Sequence, residues 1–244
     1  MMIFNRKPLF DGLRKDFGKF DDVQVSVIAA MVDEFERRKL PDVRWLAYML
    51  ATAYHEALWR PVREIGRGKG KPYGKMINGK IYYGRGLVQI TWIENYRELG
   101  RILNLPLVDE PDMALIVPVA VGILYEGMTT ALSAKGDFTG RDLSQFFNAT
   151  TDDPVNARRI VNGVDKAKLI AGHHAKILKV LQAAVRVEPV VEPVRHSKPA
   201  AEIPQLDVST AEGKMQKGIA SLLVAIAAAI GLGLLAVVAF FMEK

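Results

Sequence analysis

Two glutamates and a glycine-rich segment lie close together in the first half of the chain. Glu56 follows His55, and Glu64 comes soon after Pro61. Residues 82–92 then combine glycines, aromatic rings, an amide and a hydroxyl. A carboxylic acid, a carboxylate and polar groups that hold sugar and water are what acid–base cleavage of a glycosidic bond requires.

Glu56 is the candidate general acid. It lies late in an apolar stretch, close in sequence to Tyr54, Leu58 and Trp59. A carboxyl group set in an apolar wall resists ionisation, which is the property that a general acid needs near neutral pH. The alternative is a glutamate on the polar stripe of a surface helix, and the flanking apolar side chains disfavour it.

Glu64 is the candidate general base. Because proline interrupts a helix, Pro61 would let Glu64 lie across a groove from Glu56. An inverting glycosidase holds its two carboxyl groups roughly 6.5–9.5 Å apart, which leaves room for a water between them. Glu64 could instead form a structural ion pair with Arg63 or Arg67, and the sequence leaves both interpretations open.

Polar side chains that could hold water or a sugar follow the two glutamates. Gln89 and Thr91 alternate on a predicted extended strand and would therefore point the same way. Aromatic rings could stack on sugars, although we expect at least half of them to lie in the core. The aromatic candidates are Tyr82, Tyr83, Trp92 and Tyr96.

Other catalytic chemistries lack the residues that they need. The chain has no cysteine, which excludes a catalytic thiolate and a cysteine-ligated zinc. A zinc-protease helix needs a second histidine one turn after His55, where Trp59 stands. His173 and His174 are adjacent and would face different directions on a helix. We therefore predict no metal site and no cofactor.

The chain is basic, with a formal net charge of +6 and a sequence pI near 9.4. Such a charge suits an anionic polymer such as a cell wall, or an anionic lipid surface. The lysines and arginines form no long block and do not interleave with aromatic rings. We therefore predict no nucleic-acid partner.

Helical patterns must position these groups, and they predict a mainly α domain over residues 1–185. Asn78-Gly79 is a tight-turn signal, which predicts one small hairpin between residues 75–77 and 80–83. The predicted helices are residues 23–38, 43–59, 92–103, 113–131, 142–147, 154–161 and 165–185.

The rest of the chain differs in composition from this domain. Residues 186–217 begin with a proline-rich stretch and predict an extended linker. Residues 218–242 carry no charge and exceed the roughly 20 residues that span a bilayer, so we predict a membrane helix. An apolar helix buried in a partner is the alternative. Because residues 1–20 contain no apolar signal segment, we expect no signal peptide and folding in the cytoplasm.

Several blocks of the sequence resemble the family 19 glycoside hydrolases, and more narrowly the chitinase-like endolysins of bacteriophages and prophages. The resemblance extends over residues 23–181, and the block at residues 83–91 is its most specific part. The blocks are His55-Glu56, Arg63-Glu64, Tyr83-Gly84-Arg85-Gly86-Leu87-Val88-Gln89-Ile90-Thr91, Asn95-Tyr96 and Ile160-Val161-Asn162-Gly163.

This resemblance implies a mainly α-helical, two-lobed, lysozyme-like fold and an inverting mechanism. It implies that Glu56 is the general acid, that Glu64 is the general base and that Thr91 helps to hold the attacking water. The candidate substrate-binding residues are His55, Tyr83, Arg85, Gln89, Trp92, Asn95, Tyr96 and Asn162.

Two departures from the plant chitinases of that family bear on the substrate. This chain lacks their cysteines, and the stretch between its two glutamates is much shorter. We therefore expect peptidoglycan rather than chitin, with the apolar tail anchoring a lysis enzyme in the host inner membrane. The alternatives are a chitinase and a catalytically silent module that binds glycan or belongs to a virion.

Overall fold

The computed structural model describes residues 2–133, 135, 137–161 and 163–187, and helices are their main regular elements. The mainly α prediction is confirmed for these residues. The helices are α1 (Arg6–Phe17), α2 (Asp22–Arg38), α3 (Val43–Ala57), α4 (Ile93–Leu103), α5 (Val117–Thr129) and α6 (Ala167–Ala184). The short strands are β1 (Met2–Phe4), β2 (Val62–Arg63), β3 (Arg85–Gly86) and β4 (Val185–Val187).

Side-chain caps explain where α2 and α3 begin. The Asp21 carboxylate accepts a hydrogen bond from the Gln24 N–H, and the Gln24 side chain accepts one from the Asp21 N–H. This reciprocal pair satisfies two N–H groups that a helix end leaves without partners. Asp42 caps α3 in a simpler way, because its carboxylate accepts a hydrogen bond from the Arg44 N–H. The starts of both helices thus follow from local sequence.

Helix α3 lies at the centre of the core. Every residue from 46 to 53 is buried, so this stretch has no solvent-facing stripe. It packs chiefly against α6, which buries Ile170, Ile177 and Leu181. A helix that is apolar all round must be surrounded by other elements. The core therefore holds α3 in place up to its last turn, where Glu56 lies.

The first residues of the chain pack against the last helix of the described domain. β1 pairs antiparallel with β4, so that Ile3 lies opposite Arg186. Helix α1 crosses α6 closely at Gly12, where an added Cβ atom would lie 2.7 Å from the Val180 side chain. The sequence pattern before residue 23 did not predict α1 or the β1–β4 pair.

The predicted hairpin is present only at its turn. Asn78 and Gly79 adopt positive φ angles of 49° and 77°, as the tight-turn signal predicts. Ile77 and Lys80 exchange two backbone hydrogen bonds of 2.8 and 3.0 Å across this turn. Pairing does not extend beyond these two residues in the described chain. A second antiparallel pair, between β2 and β3, was not predicted.

Three predicted helices are divided or are 3₁₀ segments in the structure. The predicted helix 113–131 divides into a 3₁₀ segment, Pro111–Leu115, and α5. Pro118, in the first turn of α5, explains the division, because proline starts a helix but cannot continue one. The predicted helices 142–147 and 154–161 are the short 3₁₀ segments Leu143–Gln145 and Asn156–Ile160.

The predicted linker and membrane span lie outside the described residues, apart from residues 186 and 187 at the linker's start. Within the described part of the chain, no helix combines the length and apolar character that crossing a bilayer requires.

Candidate functional site

Glu56 lies in the last turn of α3 and contacts a buried arginine. Its Oε1 accepts a hydrogen bond of 2.6 Å from Nη1 of Arg158, whose side chain is 5% exposed. The Nε of Arg158 donates to the Asp165 carbonyl at 3.0 Å, which fixes the guanidinium from its other side. The apolar wall expected around Glu56 is thus interrupted by a positive charge.

The chain turns sharply after Glu56. Leu58 and Trp59 have φ angles of 50° and 56°, so α3 ends two residues earlier than predicted. This reversal buries the Trp59 ring, whose Nε1 donates to the Leu50 carbonyl at 2.8 Å. Trp59 therefore belongs to the core and fixes the end of the helix that carries Glu56.

His55 is half-buried and lies near His173 of α6. Burial lowers the pKa of His173, with a smaller contribution from the positive charges of His55 and Lys176. The Tyr54 ring packs edge-on against His173, with 4.9 Å between ring centres. Tyr54 thus makes the contact between α3 and α6, and His55 lies between Tyr54 and Glu56 in the chain.

Glu64 is held by a phenol and by the backbone of the glycine-rich segment. Its Oε1 accepts a hydrogen bond of 2.8 Å from the Tyr73 hydroxyl, and its Oε2 accepts one of 3.1 Å from the Gly84 N–H. A Cβ atom at Gly84 would lie 3.0 Å from the Gln89 amide oxygen and 3.3 Å from the Glu64 Cβ. Glycine at this position therefore lets the segment approach the carboxylate.

The alternative that Glu64 forms an ion pair is not seen in the described residues. The Arg63 guanidinium instead lies 2.7 Å from the Asp112 carboxylate. Glu64 is half-buried and accepts hydrogen bonds from uncharged donors. The hydrogen bonds that hold Glu64 in the described residues thus come from neutral donors and not from an ion pair.

Residues 87–89 form a turn, so the prediction that Gln89 and Thr91 lie on an extended strand is wrong. Positive φ angles at Gly86 (84°) and Gln89 (53°) reverse the chain, and Ile90 then pairs with Arg85. The Gln89 side chain lies inside this turn, where Nε2 donates to the Val62 and Gly86 carbonyls at 2.9 and 3.1 Å.

Arg85 is buried behind the site, with 4% of its surface exposed. It donates hydrogen bonds to the Ile81 and Tyr83 carbonyls and to the Asp112 carboxylate. Its guanidinium also lies 3.6 Å from the centre of the Tyr83 ring. These hydrogen bonds come from Nε and Nη1 of Arg85, so it supports the segment that carries Gly84.

Thr91 and Asn95 both bind the carboxylate of Asp137. The Thr91 N–H and hydroxyl donate to its two oxygens at 2.7 and 2.9 Å, and the Asn95 amide donates at 2.5 Å. Asp137 is 7% exposed. Burial raises the pKa of Asp137 to about 6, although the hydrogen bonds from Thr91 and Asn95 act in the opposite direction.

The aromatic candidates divide between core and surface. Tyr82, Tyr83 and Tyr96 are buried, and the Tyr96 hydroxyl donates to the Tyr83 carbonyl at 2.8 Å. Trp92 is half-buried and lines an open cavity of about 420 Å³ together with Tyr73. The prediction that at least half of these rings lie in the core is confirmed, and Trp92 is the ring that a sugar could reach.

Asn162, predicted to bind substrate, lies outside the described residues.

Three residues at the site were not predicted from the sequence: Tyr73, Asp137 and Arg158. Tyr73 lies between the two glycine-rich stretches that follow Glu64, and an aromatic ring in such a loop was the available signal. Arg158 and Asp137 had no comparable local signal, because each meets its partner only through the tertiary fold.

Two endochitinases of Arabidopsis thaliana are similar to part of the chain. One is 44% identical over 80 residues, which cover 31% of this chain and 28% of the relative. The other is 42% identical over 116 residues, which cover 44% of this chain and 38% of the relative. The matches thus span well under half the length of these curated relatives.

Chitinase C of Streptomyces griseus is similar to the chain among solved structures. The identity is 17% and the TM-score is 0.46, over 73% of this chain and 92% of that chain. No family model matches the chain.

Proposed function

We propose that this chain is a glycoside hydrolase that cleaves β-1,4 bonds between N-acetylated sugars by an inverting mechanism. The observation that carries the proposal is a pair of glutamates with different partners. Arg158 holds Glu56, whereas Tyr73 and the Gly84 N–H hold Glu64. An inverting enzyme needs one carboxyl group as acid and another as base. Similarity to two endochitinases of Arabidopsis thaliana supports the same type of reaction.

Glu56 is the general acid in this proposal. Because Arg158 binds Oε1, Oε2 is the oxygen that presents a proton to the leaving glycosidic oxygen. The guanidinium fixes the orientation of the carboxyl group, and an acid must be aligned with the atom that it protonates. Arg158 also stabilises the carboxylate that remains after the proton is transferred.

Glu64 is the general base, and Thr91 holds the water that it activates. A carboxylate has about four acceptor positions, so the hydrogen bonds from Tyr73 and Gly84 leave room for a water proton. The water then attacks the anomeric carbon on the face opposite to the leaving group, which inverts the configuration.

Zymography on purified peptidoglycan and assays on chitin oligomers test this proposal with the full-length chain. We expect cleavage by the wild type and a loss of about 100-fold or more in Glu56→Gln and in Glu64→Gln. Circular dichroism must show that both variants are folded. Cleavage retained in Glu56→Gln would refute the acid assignment. A folded wild type that binds glycan without cleaving it would favour the silent binding module.

We propose peptidoglycan as the polymer, in an endolysin role. The absence of cysteines and the short stretch between the glutamates support a departure from plant chitinases. Chitin is the second candidate, because both Arabidopsis thaliana relatives are endochitinases. Rates on purified wall and on chitin oligomers, measured with one preparation, separate the two. A preference for chitin of about tenfold or more in kcat/KM would replace peptidoglycan.

We also propose that residues 218–242 anchor the enzyme in the host inner membrane, from which it reaches the wall. Their length and lack of charge support this. The full-length chain should stay in the membrane fraction at high salt, whereas Leu223→Lys/Leu235→Lys should release it and the matched double alanine variant should not. A wholly soluble wild type would refute the anchor and leave the hydrolase proposal standing.

A further inference from the structure

Asp137 belongs to a loop that the core holds in place. The neighbouring Phe138 is buried against Gly127 of α5, where an added Cβ atom would lie only 1.9 Å from its ring. On the other side, the Thr139 N–H donates to the Ile160 carbonyl at 3.3 Å. Both contacts fix the backbone beside Asp137, so its carboxylate has a defined position relative to Thr91.

The hydrogen bonds to Asp137 determine what the Thr91 hydroxyl can do. Its proton is donated to Asp137 Oδ1 at 2.9 Å, so the hydroxyl oxygen faces other groups only as an acceptor. The Thr91 N–H donates to Oδ2 at 2.7 Å and prevents the residue from turning. A water next to this hydroxyl must therefore donate a proton to it.

An attacking water has two protons and must direct a lone pair at the sugar carbon. If it donates one proton to Glu64 and the other to Thr91, its lone pairs are left for the reaction.

The Tyr73 phenol is influenced by both carboxylates, Glu64 and Asp137. Its pKa is raised to about 12 by burial, then by the hydrogen bond to Glu64 and by the negative charges of Glu64 and Asp137.

We propose that ionised Asp137 is a positioning residue, which makes the Thr91 hydroxyl an acceptor and thereby orients the attacking water. This inference rests on the proposed hydrolase function and adds a residue to it. A protonated Asp137 would bring its own donor to Thr91, free the hydroxyl proton and allow Thr91 to donate to the water. The lone pair of the water would then point away from the sugar.

The surroundings of Asp137 make it the group that controls this hydrogen bond. The ionisable side chains that face it in the described residues are the phenols of Tyr73 and Tyr96, and burial is the chief cause that raises the pKa of both. Lys135, on the same loop, lies 3.7 Å from Glu94 and over the Trp92 ring instead. The two phenols stay neutral over the working range of a hydrolase.

The first test compares pH profiles of kcat for the full-length wild type and Asp137→Asn. We expect kcat of the variant to be about 10- to 100-fold lower with KM nearly unchanged, because water is misoriented but sugar still binds. The wild type should lose activity as the pH falls through about 6, and the variant should lack this step. Asp142→Asn, the same change at a cap in the following segment, should behave like the wild type.

A double variant tests whether Asp137 acts through Thr91. Thr91→Val removes the hydroxyl, so adding Asp137→Asn to it should cause little further loss of kcat. Two losses that simply multiply would overturn the inference. So would an Asp137→Asn variant with the wild-type kcat and profile. A wild type inactive on every glycan would refute both the hydrolase and this role.

An NMR titration of the wild type tests the inference without an activity assay, and it does not depend on the folding of the Asp137→Asn variant. In the wild type labelled with ¹⁵N-threonine, the Thr91 amide donates to Asp137, so its chemical shift should titrate with an apparent pKa of about 6. Thr91→Ser identifies the signal by removing it. A Thr91 amide that does not titrate between pH 4.5 and 7.5, about one and a half pH units either side of that value, would overturn the inference.

Discussion

The guanidinium of Arg158 lies 2.6 Å from the carboxylate of Glu56, although 102 positions separate the two residues in the chain. Glu56 lies in the last turn of the central helix α3, and Arg158 belongs to the 3₁₀ segment Asn156–Ile160. Both side chains are largely buried, so water weakens this contact less than it weakens a surface pair. This contact joins the core helix to the segment that precedes α6 and sets the direction of the Glu56 carboxyl group.

Removing Arg158 should destabilise the protein and also slow the reaction that it catalyses. Arg158→Met leaves the buried Glu56 carboxyl group without its hydrogen-bond donor, and we expect a loss of about 1–3 kcal/mol in the free energy of unfolding. Arg158→Lys keeps a charge but loses the second donor to Asp165, so its loss should be smaller. Urea unfolding measures both. Adding Glu56→Gln to Arg158→Met should restore part of the stability, and a Met variant within about 1 kcal/mol of wild type would contradict this account.

Glu64→Gln should remove activity and preserve the fold. The glutamine amide oxygen can accept from the Gly84 N–H while its NH₂ donates to the Tyr73 oxygen, so both contacts have a replacement. We expect kcat/KM to fall by about 100-fold or more. Tyr73→Phe is the matched comparison, because it removes one hydrogen bond at a cost of about 1 kcal/mol and leaves the base in place. Comparable losses in the two variants would point to a structural role for Glu64.

Arg85 should matter for stability more than for substrate binding. Arg85→Lys cannot make all the contacts that the buried guanidinium makes with Tyr83, Tyr96 and Asp112, and we expect a loss of about 2–4 kcal/mol. Arg63→Lys is the control, because Arg63 binds the same Asp112 but is exposed, where such pairs contribute little. An Arg85→Lys variant of normal stability and raised KM would support the sequence-based prediction of direct substrate contact.

Sequence patterns predicted the elements whose buried faces are wide. Helix α2 was predicted at residues 23–38 and is observed at Asp22–Arg38, because a broad apolar stripe marks it. Helix α1 was missed, because only Leu9 and Leu13 are buried in it and most of its other residues are polar or exposed. Its stability comes from packing on α6, which a local pattern does not report.

The difference between local and long-range signals also explains which residues of the site were predicted from the sequence. The glutamates and the glycine-rich segment are close in sequence, so their types and spacing indicated chemistry directly. Their partners are not local: 102 positions separate Arg158 from Glu56, and 46 separate Asp137 from Thr91. Loops and 3₁₀ segments bring these pairs together, and such segments carry no hydrophobic period from which their position could be read.

The raised pKa of Asp137 should also appear in the pH dependence of stability. Its pKa is about 6 in the folded protein against 3.8 for a free aspartate, so the folded state binds a proton more tightly than the unfolded state. This proton stabilises the fold fully at pH values below 3.8 and is lost as the pH rises through 6. The difference amounts to at most about 3 kcal/mol.

Comparison of the wild type with Asp137→Asn isolates this contribution from that of other carboxyl groups. Asp112 and Asp153, whose pKa values are lowered in the fold, stabilise it more as the pH rises, but they do so in both proteins. The stability of the wild type relative to the variant should therefore fall between pH 4 and pH 7, by up to about 3 kcal/mol in urea unfolding. A difference that stays constant over this range would mean that Asp137 titrates at the same pH in the folded and unfolded chains. In that case it could not lose its charge near pH 6 and could not control Thr91 there.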